Sequence, residues 1–183
     1  MPEYRRVYVP GGTYFFTVVT EGRCPFLTEP LARQCLHSAF AETRQWRPFD
    51  TQAFCLMPDH LHCLWTLPEE DVDYSSRWIK IKAAFTRSWL AAGGSELVRS
   101  PSKRKKNEHA IWQRREWEHK IRSQEDFNRH VDYIHFNPVK HGLAVRPADW
   151  EWSTFQRYVD LGFYELGWGD QEPPNIRKLN GGE

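Results

Sequence analysis

Two histidines one residue apart, His60 and His62, sit inside the apolar run MPDHLHCLW (57–65). Titratable side chains are rarely placed in such a run without a partner. If the run is a strand, residues i and i+2 point to one face, so the imidazoles stand side by side while Leu61 and Cys63 point away. Neighbouring imidazoles repel when both are charged, which favours the neutral form that binds metal. The spacing also suits a pair of hydrogen-bonded structural histidines, and a metal site needs at least one further ligand. Cys55 and Cys63 would complete a four-ligand zinc set, although the spacing matches no common finger or ribbon. A second source of ligands is VDYIHFNPVKHG (131–142), where Tyr133 and Asn137 are four apart and share one helix face. Two imidazoles with the Asn137 amide oxygen would hold Mg²⁺ or Mn²⁺, leaving positions open for phosphate oxygens, with the Tyr133 phenol beside the metal.

That constellation suits phosphodiester chemistry. A metal gripping the phosphate neutralises charge in the transition state. A tyrosine hydroxyl can then attack phosphorus as a covalent nucleophile. Its ordinary pKa is about 10, so it needs a base or a nearby cation to ionise near neutrality. The product is a phosphotyrosine with a free 3′-hydroxyl. The phosphodiester energy is retained, so the strand can be rejoined to the same or another end.

The elements around these residues must hold them together. TYFFTVVT (13–20) reads as a strand after the turn signal Pro10-Gly11-Gly12. Residues 30–46 read as a helix with Cys35, Leu36, Ala39, Phe40, Thr43 and Trp46 in one stripe. Residues 51–57 and 60–67 read as strands hairpinned through Pro58-Asp59. A helix over about 73–91 carries Trp78, Ile81, Phe85 and Trp89 on one side and stops at Gly93-Gly94. Residues 99–109, with Lys103, Arg104, Lys105 and Lys106 in a row, read as an exposed, mobile loop. Residues 110–121 can alternate as a strand, with Trp117 and His119 on one face. Ser123 caps a last helix in a capping-box arrangement with Asp126, and Pro138 predicts its end near Asn137. The order implies an α+β fold, a mostly antiparallel sheet with helices packed on it, of which a split βαβ arrangement is one solution.

The bulk numbers set bounds. The 183 residues suit one domain spanning 1–183, with a core over about 4–158 and an aromatic C-terminal tail over about 159–183. No run approaches a membrane span, and the start MPEYRRVYVPGG lacks the apolar segment of a secretory signal. Four cysteines without CxxC spacing read as reduced thiols in a cytoplasmic protein. The net charge of +1 does not announce nucleic acid, so only a local patch would bind it. Aromatics at 15% suit a Trp-rich core or flat faces for stacking bases.

The blocks PGGTYFFTVVT, FCLMPDHLHCLW, YIHFNPVKHGLA and DWEWST, in that order over roughly 4–158, resemble the REP-associated tyrosine transposases, with HLH as the His-hydrophobic-His signature of the HUH single-strand DNA nucleases. The tyrosine follows that motif, unlike in conjugative relaxases, and position 136 is Phe, unlike the Tyr-x-x-Lys of rolling-circle initiators. The resemblance implies a ferredoxin-like (RRM-like) antiparallel sheet. It implies His60 and His62 as metal ligands, Tyr133 as the nucleophile linked to the 5′ end of the cut strand, and Asn137 in the place of a third-ligand glutamine. It implies a single-stranded DNA substrate that folds into repetitive extragenic palindromic hairpins. It leaves open a monomer or a homodimer, and a site completed by one subunit or two. It implies a prokaryotic host, with the protein on the nucleoid when bound to DNA.

His119, sharing a strand face with Trp117, is a candidate second base or ligand beside the site, or an ordinary capped histidine. Candidate phosphate contacts are Arg5 and Arg6 near the start, Lys103 to Lys106, and Arg114 with Arg115. Plain solubility is the other use of such a loop. Two further functions fit part of the pattern: a hairpin-binding protein of the same fold that does not cut, and a small zinc protein built on His60, His62, Cys55 and Cys63.

Overall fold

The computed structural model describes residues 8–177 and 179–182. Its elements are β1 (Thr13–Val19), α1 (Pro30–Trp46), β2 (Asp50–Leu56), β3 (His60–Thr66), α2 (Tyr74–Ala91), the single turn α3 (Pro101–Lys105), β4 (Trp117–Lys120), α4 (Gln124–Lys140) and α5 (Phe155–Asp160). The four strands form one sheet in the order β2-β3-β1-β4, with every neighbouring pair antiparallel.

Both faces of the sheet are covered, which the alternation along the strands demands. Tyr14, Phe16 and Val18 of β1, with Leu61, Cys63 and Trp65 of β3, face α1 and α2. There Trp65 stacks on Trp78 at 4.3 Å between ring centroids. Phe15, Ala53, Cys55 and Leu64 face α4, α5 and the C-terminal segment. His60 and His62 share the α4 face with Leu64, because they are two residues apart on one strand.

Local chemistry sets the boundaries. Asp73 caps α2 by accepting from Ser76 N at 2.9 Å. The fully buried Arg77 is tolerated because Arg47 O, Pro48 O, Asp73 O and the Asp71 carboxylate accept its protons. Gly93, at φ +91°, ends α2 in a conformation that disfavours other residues. Ser123 Oγ accepts from Asp126 N, and the Asp126 carboxylate accepts from Arg122 N, closing the N-terminus of α4.

Three sequence expectations are corrected. The segment expected to be an exposed, mobile loop over 99–109 contains α3, and Lys103 is turned inward. Its ammonium donates to His109 O at 3.1 Å and Trp112 O at 2.8 Å and pairs with Glu21 at 3.1 Å. The strand expected over 110–121 is only Trp117–Lys120: Trp112 meets Thr20 in an isolated antiparallel bridge and Gln113 N donates to Val19 O, after which Lys82 of α2 binds the carbonyls of Gln113 and Arg114 and the pairing is interrupted until Trp117. Helix α4 does not stop at Asn137 but runs to Lys140 with the buried Pro138 inside it. Proline removes one N–H donor from the ladder, and the helix closes one turn later through His141 N to Asn137 O and Leu143 N to Pro138 O. None of the helices among the described residues is long and apolar enough to cross a membrane.

Candidate active site

The fold brings β3 and α4 together at one end of the sheet. His60 and His62 are buried, with ring centroids 4.8 Å apart. Tyr133, from α4, is also buried and lies 5.3 Å from the His62 ring. Asn137 follows one helical turn later on the same face and is fully buried. Four of the expected site residues therefore converge within one chain.

Hydrogen bonds set the tautomer of each imidazole. Asp59 Oδ1 lies 2.6 Å from His60 Nδ1, and an ionised carboxylate can only accept, so Nδ1 carries the proton. Thr17 Oγ1 donates to the Gly181 carbonyl, so at its 2.8 Å contact with His62 Nδ1 it must accept. The same ring nitrogen is therefore protonated on both histidines. In the neutral rings Nε2 is left as the basic atom, the arrangement found where an outer partner fixes a metal-binding imidazole. Burial pushes the Asp59 carboxyl up, but the hydrogen bond and charge of His60, with Arg23 at 3.0 Å, outweigh it and hold the group at about 2.

Several groups at the site escaped the sequence reading. Lys140 donates to Tyr133 Oη at 3.0 Å, and its ammonium lies 4.7 Å from the centre of that ring. The His141 ring packs edge-on to His60 at 5.3 Å. The C-terminal segment reaches the site as well: a β-carbon on Gly181 would fall 2.0 Å from Tyr133 Oη, and one on Gly182 would fall 2.3 Å from the Trp117 ring. The signal for Lys140 was the seven-residue spacing from Tyr133, two turns of one helix, hidden by the expectation that Pro138 ends it. Nothing in the spacing announces Gly181, which arrives from 164 residues beyond Thr17.

His119 does face the same side of the sheet as Trp117, but its neighbours are Asp126 and His130. His119 Nε2 lies 2.9 Å from Asp126 Oδ2, and His130 Nδ1 lies 3.2 Å from Asp126 Oδ1. The three offer ligand atoms within 4.8 Å of one another, a cluster compatible with metal binding. Phe15 stands between it and the histidine pair, 4.9 Å from His130 and 5.4 Å from His62. Burial pushes the His130 imidazole below its ordinary range.

Cys55 lies on the His62 side of the sheet and Cys63 on the other, so the four-ligand zinc set is not assembled. Burial raises both thiols and keeps them protonated. Of the candidate phosphate contacts, Arg104, Lys105, Lys106, Arg114 and Arg115 are exposed, while Lys103 is not. Arg114 is held by Glu108 at 2.6 Å and Ser102 at 2.8 Å. Arg5 and Arg6 lie outside the described residues.

No family model matches the chain. A REP-associated tyrosine transposase of Escherichia coli K12 is 46% identical over 169 residues, 92% of this chain and 91% of that protein. A Haemophilus influenzae Rd protein carrying the same family name is 41% identical over 97% of this chain and 98% of its own. The solved structure of a REP-associated tyrosine transposase bound to a REP hairpin superposes with a TM-score of 0.81 at 42% identity, covering 100% of this chain and 98% of that one. With identity above two-fifths along nearly its whole length, and a paired-histidine strand facing a tyrosine helix, the chain belongs to the REP-associated tyrosine transposases, enzymes of the HUH type.

Proposed function

We propose that this enzyme cleaves and rejoins hairpin-forming single-stranded DNA of the repetitive extragenic palindrome type, through a covalent 5′-phosphotyrosine on Tyr133. The observation that carries this reading is Tyr133 itself, its ring 5.3 Å from that of His62 and its hydroxyl bonded to Lys140 of the same chain. The relative that binds a REP hairpin supports the substrate class.

The donor set fits a divalent cation. His60 and His62, each held through Nδ1, would contribute Nε2, and the Asn137 amide oxygen would complete three ligands for Mg²⁺ or Mn²⁺. When bound, the ion supplies charge neutralisation at the scissile phosphate. The protein's own groups do the rest. Lys140 stabilises the phenolate as the Tyr133 proton leaves to water. The Oη–P bond forms as the P–O3′ bond breaks, and the departing 3′-oxygen is protonated to a hydroxyl. Rejoining runs the same steps backwards from a 3′-hydroxyl.

The strand order, with β1 flanked by β3 and β4 and every pairing antiparallel, supports the finer description of the sheet as ferredoxin-like (RRM-like). Convergence of all four site residues from one chain supports a site that needs no second subunit, whether the protein is a monomer or a homodimer. Four free cysteines suit a reducing compartment, in keeping with a cytoplasmic protein of the prokaryotic nucleoid.

The test is a denaturing gel of the protein with labelled hairpin DNA taken from the flanks of its own gene, with Mn²⁺ or Mg²⁺ and then with chelator. A metal-dependent shifted band lost in Tyr133→Phe is expected. Tight binding without any adduct would favour the non-cutting hairpin binder.

A further inference from the structure

Beyond Phe15, on the same side of the sheet as Tyr133, edge strand β4 and the first turns of α4 bring two imidazoles onto one carboxylate. His119 comes from β4, and Asp126 and His130 stand four residues apart on one face of α4. Each Asp126 oxygen meets one ring: Oδ2 lies 2.9 Å from His119 Nε2, and Oδ1 lies 3.2 Å from His130 Nδ1. Helix capping accounts for the carboxylate but not for the rings. The Arg122 and Asp126 N–H groups are satisfied by Asp126 and Ser123, and neither histidine takes part.

The protonation states suit a cation. Burial pushes the Asp126 carboxyl up, but its hydrogen bonds from His119 and Arg122 N outweigh that and hold it below its ordinary value, so it is ionised at neutrality. Burial favours the neutral His130 ring, the form that binds metal. Two imidazole nitrogens with one carboxylate oxygen are a known three-ligand set for zinc, with metal–ligand bonds of about 2.0–2.2 Å. Around a tetrahedral ion such atoms stand about 3.4 Å apart, and here they already lie within 4.8 Å of one another. The rings stack at 4.6 Å and 15° from parallel, so one must turn to aim its lone pair at the ion. His119 has that freedom, because 27% of its side chain is exposed, whereas His130 is packed on Phe15.

The cluster is separate from the histidine pair. His119 is opposite Phe15 of β1, and Phe15 is opposite Leu64 of β3, so two strand spacings, about 10 Å, lie between β4 and β3. Paired catalytic ions stand about 3.5–4 Å apart, so an ion at His119 takes no part in the chemistry at Tyr133. His130 does precede Tyr133 by three residues on the same helix, and β4 is a four-residue edge strand joined to the sheet through β1 alone.

We propose that His119, Asp126 and His130 form a second, structural metal site, which takes a zinc-class transition ion and fastens the start of the tyrosine helix to edge strand β4. Imidazole donors favour such an ion over Mg²⁺, which prefers oxygen. The inference does not depend on the DNA substrate.

The test titrates metal-stripped, full-length protein with Zn²⁺ and counts the metal retained after desalting. His60→Gln/His62→Gln removes the pair beside Tyr133, and one zinc per chain should remain. Adding His119→Gln, at a partly exposed position, should weaken that zinc by more than the roughly 10- to 100-fold that loss of an outer partner costs, read by competition with a chromophoric chelator. In the wild-type protein, Zn²⁺ should protect His119 severalfold from carbethoxylation by diethyl pyrocarbonate, mapped by peptide mass spectrometry, and Mg²⁺ at the same concentration should not. This second readout decides alone if the double variant loses the wild-type circular dichroism. No zinc on a folded double variant, zinc affinity unchanged by His119→Gln, or His119 modified equally with and without Zn²⁺ would overturn the proposal.

Discussion

Lys140 Nζ sits 3.0 Å from Tyr133 Oη, seven residues and two turns along the same helix. A cation in that position favours the phenolate over the phenol. Lys140→Met should therefore slow adduct formation at neutral pH by roughly tenfold to a hundredfold, the scale of a charge-assisted hydrogen bond. It should also move the rise of rate with pH to the alkaline side, because without the cation the phenol ionises later. Hairpin affinity should change little, and Lys140→Arg should recover part of the rate. A loss of rate with an unmoved pH profile would reduce Lys140 to a packing role.

Asp59 is the outer partner of His60, and its carboxyl is held at about 2 by that histidine and Arg23. Asp59→Asn should weaken Mn²⁺ binding by roughly 10- to 100-fold, as loss of an outer partner does elsewhere, measured by calorimetric titration. The depressed carboxyl has a stability consequence of definite sign. Its contribution is complete above the ordinary value of 3.8 and is lost as pH falls towards about 2. Acid unfolding of Asp59→Asn should lack that component.

The C-terminal segment covers the tyrosine. A side chain at Gly181 would overlap Tyr133 Oη, so Gly181→Val forces the segment away from the site. Removing residues 179–183 should expose Tyr133, which is 2% accessible, and raise the initial rate of adduct formation severalfold at saturating DNA. An unchanged rate would mean that the segment leaves whenever DNA binds.

Lys103 and its neighbours should separate cleanly. Lys103→Met leaves the carbonyls of His109 and Trp112 and the Glu21 carboxylate without their donor, so it should lower the melting temperature by several degrees. The triple variant Arg104→Gln/Lys105→Gln/Lys106→Gln should leave the melting temperature near its wild-type value. If this face meets DNA, it should also flatten the salt dependence of binding. An unchanged salt slope would leave those three side chains as solubilising groups.

The features of the fold and site that depend on period were legible in the sequence. Strand alternation placed His60 and His62 on one face and Cys63 on the other, and helical spacing put Tyr133 and Asn137 together. What it missed was set by tertiary contacts. Lys103 reads as solvated in a run of four cations, yet three acceptors brought together by folding draw it inside. Pro138 reads as a helix end, yet it is buried and α4 continues past it, carrying Lys140 to the tyrosine. Gly181 lies far from the site in sequence, and only the packed fold returns it to Thr17 and Tyr133.

The proposed mechanism requires Tyr133 to become covalently joined to the 5′ end of a cut strand. It is tested most directly by mass spectrometry of the proteolysed reaction with hairpin DNA and Mn²⁺. The expected product is a nucleotide linked through a 5′-phosphate to the peptide containing Tyr133, with a free 3′-hydroxyl on the released fragment. A nucleotide on any other residue, or cleaved DNA bearing a free 5′-phosphate with no protein attached, would contradict it.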